Sequence, residues 1–467
     1  MAQKEEMASM NVALKQSITI HEELPKEELF KNIKEAEGKL SMFQCSKPKI
    51  QRVPYMLREH KSFEKYYEPR AVAIGPIHHD KPRCQLAEKF KLALAAKFIE
   101  QSGCGAEVLH KIIEDNIKTL KECYDEEATR FYTDEALIQL LFVDGCSTLQ
   151  FIYSFMNNEL ASFKIKRDQV AFAEQDLFLL ENQLPYEVLK LLMSQSAKKE
   201  VLNDAIHDFV TRNISKRNKH SKHKKTPQPE GTVIHVEEPT HLLQLLRTEM
   251  LGPEKSEAKK NKSKHLRQSF RNIQELKAAG IHLKPSKTNT LRDISFDSRC
   301  FAGILHLPPI SVDDSLGPKF LNLIAYELCP DFQNDFGVTS YICFLDSLID
   351  HAEDVQHLRS AGVLHNLLGS DEEVAQLFNE IGTDLVPNSE TYRNVTSRLE
   401  KHYKTKWKTW MAQFCHDHFS SPWTIIAFLG VLAALGLSGI QTWYSISSPP
   451  CACDAVCKYL KKQLKIE

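Results

Sequence analysis

Several things this sequence lacks narrow it before anything it contains. It has no G-x-S-x-G elbow, no G-x-x-x-x-G-K-[ST] phosphate loop, no H-E-x-x-H and no G-x-G-x-x-G. The common templates for acyl hydrolysis, phosphate binding, zinc proteolysis and dinucleotide binding are therefore missing as motifs. There is no excess of one charge: 60 Lys and Arg stand against 61 Asp and Glu, a net charge of −1. Composition thus offers no whole-protein argument for nucleic acid or acidic substrates. The N-terminus, MAQKEEMASMNVALKQS, has no apolar stretch that would make a secretory signal. Ala2 rather than Gly follows Met1, so there is no myristoylation signal. Of 12 cysteines, nine are scattered from Cys45 to Cys415 without close pairing, which fits reduced thiols in a cytosolic domain. Tryptophan is absent until Trp407, and all four tryptophans fall between there and Trp443.

What is present begins with the stretch those tryptophans mark. Pro422 to Ile446, PWTIIAFLGVLAALGLSGIQTWYSI, carries no charged residue. A run of that length reads as a membrane-crossing helix; the alternative is a buried core helix. Trp423 and Trp443 are 20 residues apart, roughly 30 Å at about 1.5 Å per residue, which is one hydrocarbon thickness. With Tyr444 they would place amphipathic rings at both interfaces. Gly430, Ala434 and Ser438 form a small-residue stripe at spacing four, a pattern that lets two helices approach closely. The tail beyond, 447–467, holds Cys451, Cys453 and Cys457 together with several lysines. Those thiols suit S-palmitoylation if the tail is cytosolic, a disulfide if it is luminal, or neither. A span so near the end of the sequence predicts post-translational insertion as a tail anchor, with the bulk of the chain cytosolic. Lysines flank it on both sides, so charge does not settle the orientation.

Residues 1–20 read as disordered, and 21–416 as one α-rich domain. Helical periodicity is expected from Glu22 to Phe43, from Leu86 (Leu86, Phe90, Leu94, Phe98) and from Val108 to Leu120. Further helices start at caps Asp134 and Asp168, and at Pro185 as a first helical residue. Lys49 to Phe90 is broken by Pro54, Pro69, Gly75, Pro76 and Pro82 into turns and extended pieces. Two basic loops are expected, at about 213–231 and 252–268. The first packs six Lys or Arg and two His into 215–225; it reads as a solvated loop, or as a nuclear-localisation or phosphate-binding patch. Short strands are expected at Ile294 to Phe296 and Gly303 to Leu307, and helices at His241 to Met250 and Leu321 to Pro330. One helix should run from a Thr339 cap through SYICFLDSLIDHAEDVQHL, and Ser370 with Glu373 should form a capping box. Ser389 should open a last soluble helix, striped by Tyr392, Val395, Leu399, Tyr403, Trp407, Trp410 and Phe414.

Candidate chemistry is thin. His78-His79-Asp80 is a poor metal site, because adjacent His side chains diverge. Glu107-x-x-His110 and Glu238-x-x-His241 each match half of a di-iron helix motif, but the second contains Pro239. Asp346, Asp350 and His351 are the best acid–base group. Glu181-Asn182-Gln183 and Glu327 sit between apolar runs. Their expected role is to bond the backbone and fix loop geometry. Cys146, Cys329 and Cys343 lie in apolar helices and suggest packing. Asn213, Asn261 and Asn394 open N-x-[ST] triplets, which matter only if the domain is luminal.

Several of these stretches together resemble the plant family known as domain of unknown function 247. They are RVPYMLRE followed by YEPRAVAIGPIHHD, then FVDGC, DLFLLENQLPYEVL, IQELKAAGIHLK, GILHLPPISVDDS, NLIAYELC, SYICFLDSLIDHAEDV, LGSDEEVAQLFN and the closing W-x-x-W…SSPWTIIA. The resemblance spans about Lys49 to Ile446. The chain departs from it at Ser147-Thr148-Leu149, where the family usually has bulky apolar residues, and at Leu328, where Gln is common. The resemblance implies a mainly α domain with one C-terminal membrane span, no established enzymatic activity and no catalytic residues to transfer. Some grass members are implicated genetically in pollen–stigma self-incompatibility, which implies recognition by association only.

The expectation is a mainly α protein: a large helical globular domain with a few short strands, plus one C-terminal transmembrane helix. It would be single-pass, in plasma membrane or endomembrane, and act in protein interaction, recognition or signalling. Its partners would be the bilayer, an unidentified protein and a second copy through the span; no cofactor, metal or nucleic acid is expected. The alternatives are an enzyme built on Asp346, Asp350 and His351, or a nucleic-acid-linked protein using the basic loop.

Overall fold

The protein is described from a computed structural model. The residues it describes are 26, 28–31, 33, 48–59, 62–214, 238–253, 272–298, 302–332, 335–404, 422–447 and 452–464. The expected disordered 1–20, both basic loops beyond their first residues, Trp407, Trp410, Phe414 and Cys451 lie outside them.

The domain is built around one long apolar helix. Helices α1 (Gln85–Ser102), α2 (Ala106–Glu122) and α3 (Asp134–Met156) follow the apolar spacings in the sequence. Thr133, not Asp134, caps α3: its Oγ1 accepts the Ala136 N–H at 3.2 Å. The helix runs unbroken through FVDGCSTLQF, and residues from Leu137 to Ser154 bury nearly all round. It passes a length-and-composition test for crossing a membrane, but 72% of its apolar window is buried inside the domain. Its apolarity serves the core. Around it pack α1, α2, α5 (Tyr186–Ser194) and α6 (Lys199–Ile214). Gly145 makes the α5 crossing close: a Cβ there would stand 2.6 Å from Leu192 Cδ1. Helix α4 (Arg167–Asp176) starts after Lys166 rather than at an Asp168 cap, and Pro185 is the cap of α5 rather than its first residue. Asn213 and Ile214, expected in the first basic loop, are the last turn of α6.

Helix α7 (Leu242–Leu251), capped by His241, joins this bundle to the second half of the domain. It packs on α6 and also on α9 (Leu316–Glu327) and α10 (Gly337–Asp346). Between them lie α8 (Ile273–Ala278) and two small sheets. Strand β3 (Gly303–Leu307) is central, parallel to β1 (Ile281–Pro285) and antiparallel to β2 (Ser295–Ser298). Strand β4 (Ile310–Val312) pairs in parallel with β5 (Leu364–Asn366). Helices α11 (Ala352–Ser360), α12 (Asp371–Gly382) and α13 (Arg393–Tyr403) complete the domain.

Two expectations are corrected here. The segment SYICFLDSLIDHAEDVQHL is two helices, because Asp354 turns back to accept the Asp350 and His351 N–H groups, both at 3.1 Å, and so starts a new helix. Thr339 is not a cap; it lies inside α10 and donates to Glu327. The Ser370 cap does form, its Oγ accepting from Glu373 N at 3.1 Å, while Glu373 reaches back to Gly369 N–H.

After the domain come two further helices, α14 (Pro422–Ser447) and α15 (Ala452–Leu464). Residues Ile426 to Ile446 of α14 are long and apolar enough to cross a membrane, and none of them is buried against the rest of the chain. The tail, which carries no helical expectation, is helical from Ala452. Its exposed Val456, Tyr459 and Leu460 follow a three-to-four spacing, with Lys458, Lys461 and Lys462 on the opposite side of the helix.

Candidate functional site

The glycine- and proline-broken segment after Pro69 folds as an extended strip with few backbone partners of its own, so side chains must satisfy it. Three consecutive N–H groups, of Arg70, Ala71 and Val72, converge on the Asp176 carboxylate at 3.0, 2.7 and 2.9 Å. Burial pushes that carboxyl up to about 6, against the pull of the three N–H groups. At neutral pH it therefore stands ionised and accepts all three. Asn182 accepts from Ile74 N–H at 2.7 Å and donates to the carbonyls of Val72 (3.0 Å) and Asp176 (2.9 Å). Gly75 N–H donates to Asp144 at 2.9 Å. Gly75 sits at φ +70°, and a Cβ there would meet the Gln183 carbonyl oxygen at 2.6 Å.

The expected role of Glu181-Asn182-Gln183 is what the geometry gives. Glu181 accepts from Val53 N–H at 2.7 Å and contacts His78 Nε2 at 3.1 Å. Gln183 donates to the Leu177 and Leu179 carbonyls, both at 2.8 Å. Glu327 does the same work in the second half. It accepts from Val338 N, Thr339 N and Thr339 Oγ1, and from the Arg247 guanidinium. Arg247 and Arg292 also hold Asp335, keeping its carboxyl below the ordinary range although burial opposes this.

The other sequence candidates do not assemble into one site, though Asp346 and Asp350 stay close enough for the Asp350 charge to add to burial in raising the Asp346 carboxyl. His78 is taken by Glu181. His241 is fully buried as the α7 cap, and burial pushes its pKa down to about 3. Glu107 and His110 lie on α2, away from His241. Among the described residues no cluster of three or more His, Cys, Asp or Glu is arranged to hold a metal ion. Asp346 packs against Gly382, Asp350 accepts from Asn272, and His351 is an exposed helix cap. Cys146 and Cys329 are buried, and burial raises both thiols, as it does Cys343, pushed to about 11. In α14, Gly430, Ala434 and Ser438 fall on one exposed face; Trp443 and Tyr444 are exposed near its end, and Trp423 lies in its first turn. Cys453 and Cys457 are exposed free thiols.

One concavity has a largely apolar lining. Between α1, α3, α4 and the 70–74 strip is an apolar cavity of about 150 Å³. Phe90 and Leu94 of α1, Phe151 of α3 and Phe172 and Leu177 at α4 line it, with Thr148 at depth. Arg70 and Arg83 stand at its mouth, and both also line an adjoining open cleft with Arg58 and Lys65. Lys91 also lines the cavity, buried between Asp144 and Glu88, each at 2.8 Å. Burial opposes its charge, but the two carboxylates hold its pKa above the ordinary lysine value. The cavity draws on four separate segments, so no local spacing in the sequence marks it.

Comparison with known proteins decides the relationship. The profile of a plant family described as "Plant protein of unknown function", domain of unknown function 247, matches residues 50–437. The chain belongs to this family. Two relatives are UPF0481 proteins of Arabidopsis thaliana. One is 28% identical over 418 residues, covering 82% of this chain and 83% of the relative. The other is 22% identical over 471 residues, covering 82% and 87%. No solved structure matches. The family span takes in the strip, the buried polar groups, the cavity and more than half of α14.

Proposed function

We propose that this member of the family is a single-pass, membrane-anchored plant protein whose helical domain acts by binding, in recognition or signalling, rather than by catalysis. The observation that carries the reading is α14. A helix apolar on every face, with no part of Ile426 to Ile446 buried, would leave a large apolar surface in water. The other apolar helix, α3, has its surface covered by the core, so the contrast lies within one chain. A bilayer satisfies α14 fully, with Trp443 and Tyr444 suited to one interface. The amphipathic α15, lysines on one face and Val456, Tyr459 and Leu460 on another, suits the headgroup layer beyond. Binding rather than catalysis is supported by where the acid, amide and histidine groups are spent: they hold backbone and one another. Bulk cytosolic placement and self-association through Gly430, Ala434 and Ser438 belong to the same proposal.

The test is extraction of the tagged chain from plant membranes. It should resist alkaline carbonate and dissolve in detergent, while a chain ending at Ser420 should appear in the soluble fraction. Carbonate release of the full chain, or membrane retention of the truncated one, would refute α14 as the anchor. Protease digestion of sealed membranes should degrade the domain and leave Asn394 unglycosylated; protection of the domain would reverse the orientation.

A further inference from the structure

We infer that the cavity beside Arg70 is a binding site for a small amphipathic carboxylate, its apolar body among Phe90, Phe151 and Phe172 and its carboxylate at Arg70. The inference concerns the domain alone and does not depend on α14.

Size sets the first limit. About 150 Å³ of apolar space accepts a body of benzene size. That is far too small for a lipid acyl chain, so the occupant is a free small molecule. Lining agrees: most of the wall is aromatic and aliphatic, and α1, which supplies Phe90 and Leu94, packs closely on α3.

Charge sets the second limit. Arg70 forms no salt bridge among the described residues, although its charge acts on the Asp176 carboxylate nearby; its guanidinium lies 3.8 Å from the centroid of the Phe172 ring, on the cavity wall. Arg83 at the same mouth is partly neutralised by Glu68. The adjoining cleft sets Arg58, Lys65, Arg70 and Arg83 against only Glu64. An anion arriving there meets a guanidinium already held over an aromatic ring, ready for a bidentate carboxylate. The Arg70 backbone is also fixed, because Asp176 grips its N–H and the next two. A rim held in this way loses little freedom on binding.

The third observation is at the floor. Thr148 is 3% exposed, lines the cavity, and its hydroxyl finds no hydrogen-bond partner among the described residues. A buried hydroxyl left unpaired costs stability, and a polar atom on the far end of a ligand would satisfy it.

The test uses the full chain in phosphatidylcholine nanodiscs, with empty discs as reference, titrated calorimetrically with 3-phenylpropionate, 3-phenylpropanol and 3-phenylpropylamine. The acid should bind saturably, at least about tenfold more tightly than the alcohol, with the amine weakest. Arg70→Ala, at an exposed side chain, should cost the acid about tenfold or more and leave the alcohol unchanged. Thr148→Leu, which fills the floor, should abolish binding of the acid and the alcohol while thermal unfolding stays cooperative. Equal affinities for acid and alcohol, or an Arg70→Ala chain that binds the acid as wild type does, would overturn the carboxylate assignment. No saturable binding of the acid to the wild-type chain would overturn the site. Should Thr148→Leu fail to fold, the Arg70→Ala comparison decides alone.

Discussion

Removing the Asn182 side chain should show how much the 70–76 strip depends on amides reaching it from elsewhere. Asn182 is 1% exposed. Truncation to Ala strips partners from the Ile74 N–H and from the Val72 and Asp176 carbonyls. Each buried group left unpaired costs about 1–3 kcal/mol. The space vacated is polar and close to the share of one water molecule, about 30 Å³. One water can rebond two of the three groups, so one stays unpaired and the water is immobilised, for a net loss of about 2–4 kcal/mol. Asn182→Asp is the sharper comparison. It keeps the acceptor facing Ile74 but turns an oxygen toward two carbonyl oxygens and buries a second negative charge near Asp176. It should cost at least as much as Ala. Tryptophan fluorescence is the wrong readout, because all four tryptophans lie at or beyond Trp407. Urea unfolding of the detergent-solubilised chain by far-UV circular dichroism reports the helical domain instead. A loss below about 1 kcal/mol for Asn182→Ala, or an Asp variant more stable than the Ala variant, would refute the reasoning.

Two further outcomes are expected. Gly75→Ala should destabilise by about 3 kcal/mol, since φ +70° is strained for alanine and the methyl would press on the Gln183 carbonyl. Gly103→Ala, at φ +77° with nothing within 4 Å, should cost only about 1–2 kcal/mol in the same denaturation assay. His241 stays neutral when folded, with its pKa lowered from 6.5 to about 3 by burial. The unfolded chain takes up that proton below about pH 6.5, so the stability His241 leaves in place at neutral pH drains away on acidification. The loss is about 1.4 kcal/mol per pH unit down to the folded value. His241→Asn keeps a capping acceptor for Gln244 N–H without the titration. Its stability relative to wild type should therefore rise between pH 6.5 and 5, as read from urea midpoints; a difference that stays flat with pH would contradict this.

Much of the helical skeleton was legible, because apolar residues such as Leu86, Phe90, Leu94 and Phe98 repeat with a helix's period. Ends were less so. Thr133 and Asp134 are both good caps, and only the position of Ala136 N–H decides between them. The break between α10 and α11 is invisible to periodicity, since Leu348 and Ile349 continue the apolar pattern through the turn. What makes the break is a carboxylate, Asp354, reaching back to the backbone. Helix α15 gives a weak signal, because its apolar face is only Val456, Tyr459 and Leu460 among cysteines and lysines. The buried roles of Glu181, Asn182, Gln183 and Glu327 were readable, since charged and amide groups between apolar runs need partners. The cavity was not readable. Arg70, Phe90, Thr148 and Phe172 share no local spacing, and only tertiary packing brings them to one wall.

The contacts that hold the Lys49 and Tyr66 region also set a clock. Lys49 N–H is bonded to Asp331, the Tyr66 carbonyl to Asn322, and the Tyr66 hydroxyl to Glu380. Lys49 and Tyr66 have no finished resting place until residues about 300 positions later exist. During synthesis the apolar side chains of that region must wait, compact but unsettled, while most of the chain is made. Glu380 then precedes Pro422 by 42 residues, about 2–8 s of elongation at 5–20 residues per second. That interval separates the last of these contacts from the start of the apolar helix, so α14 follows closely on the residue that completes them.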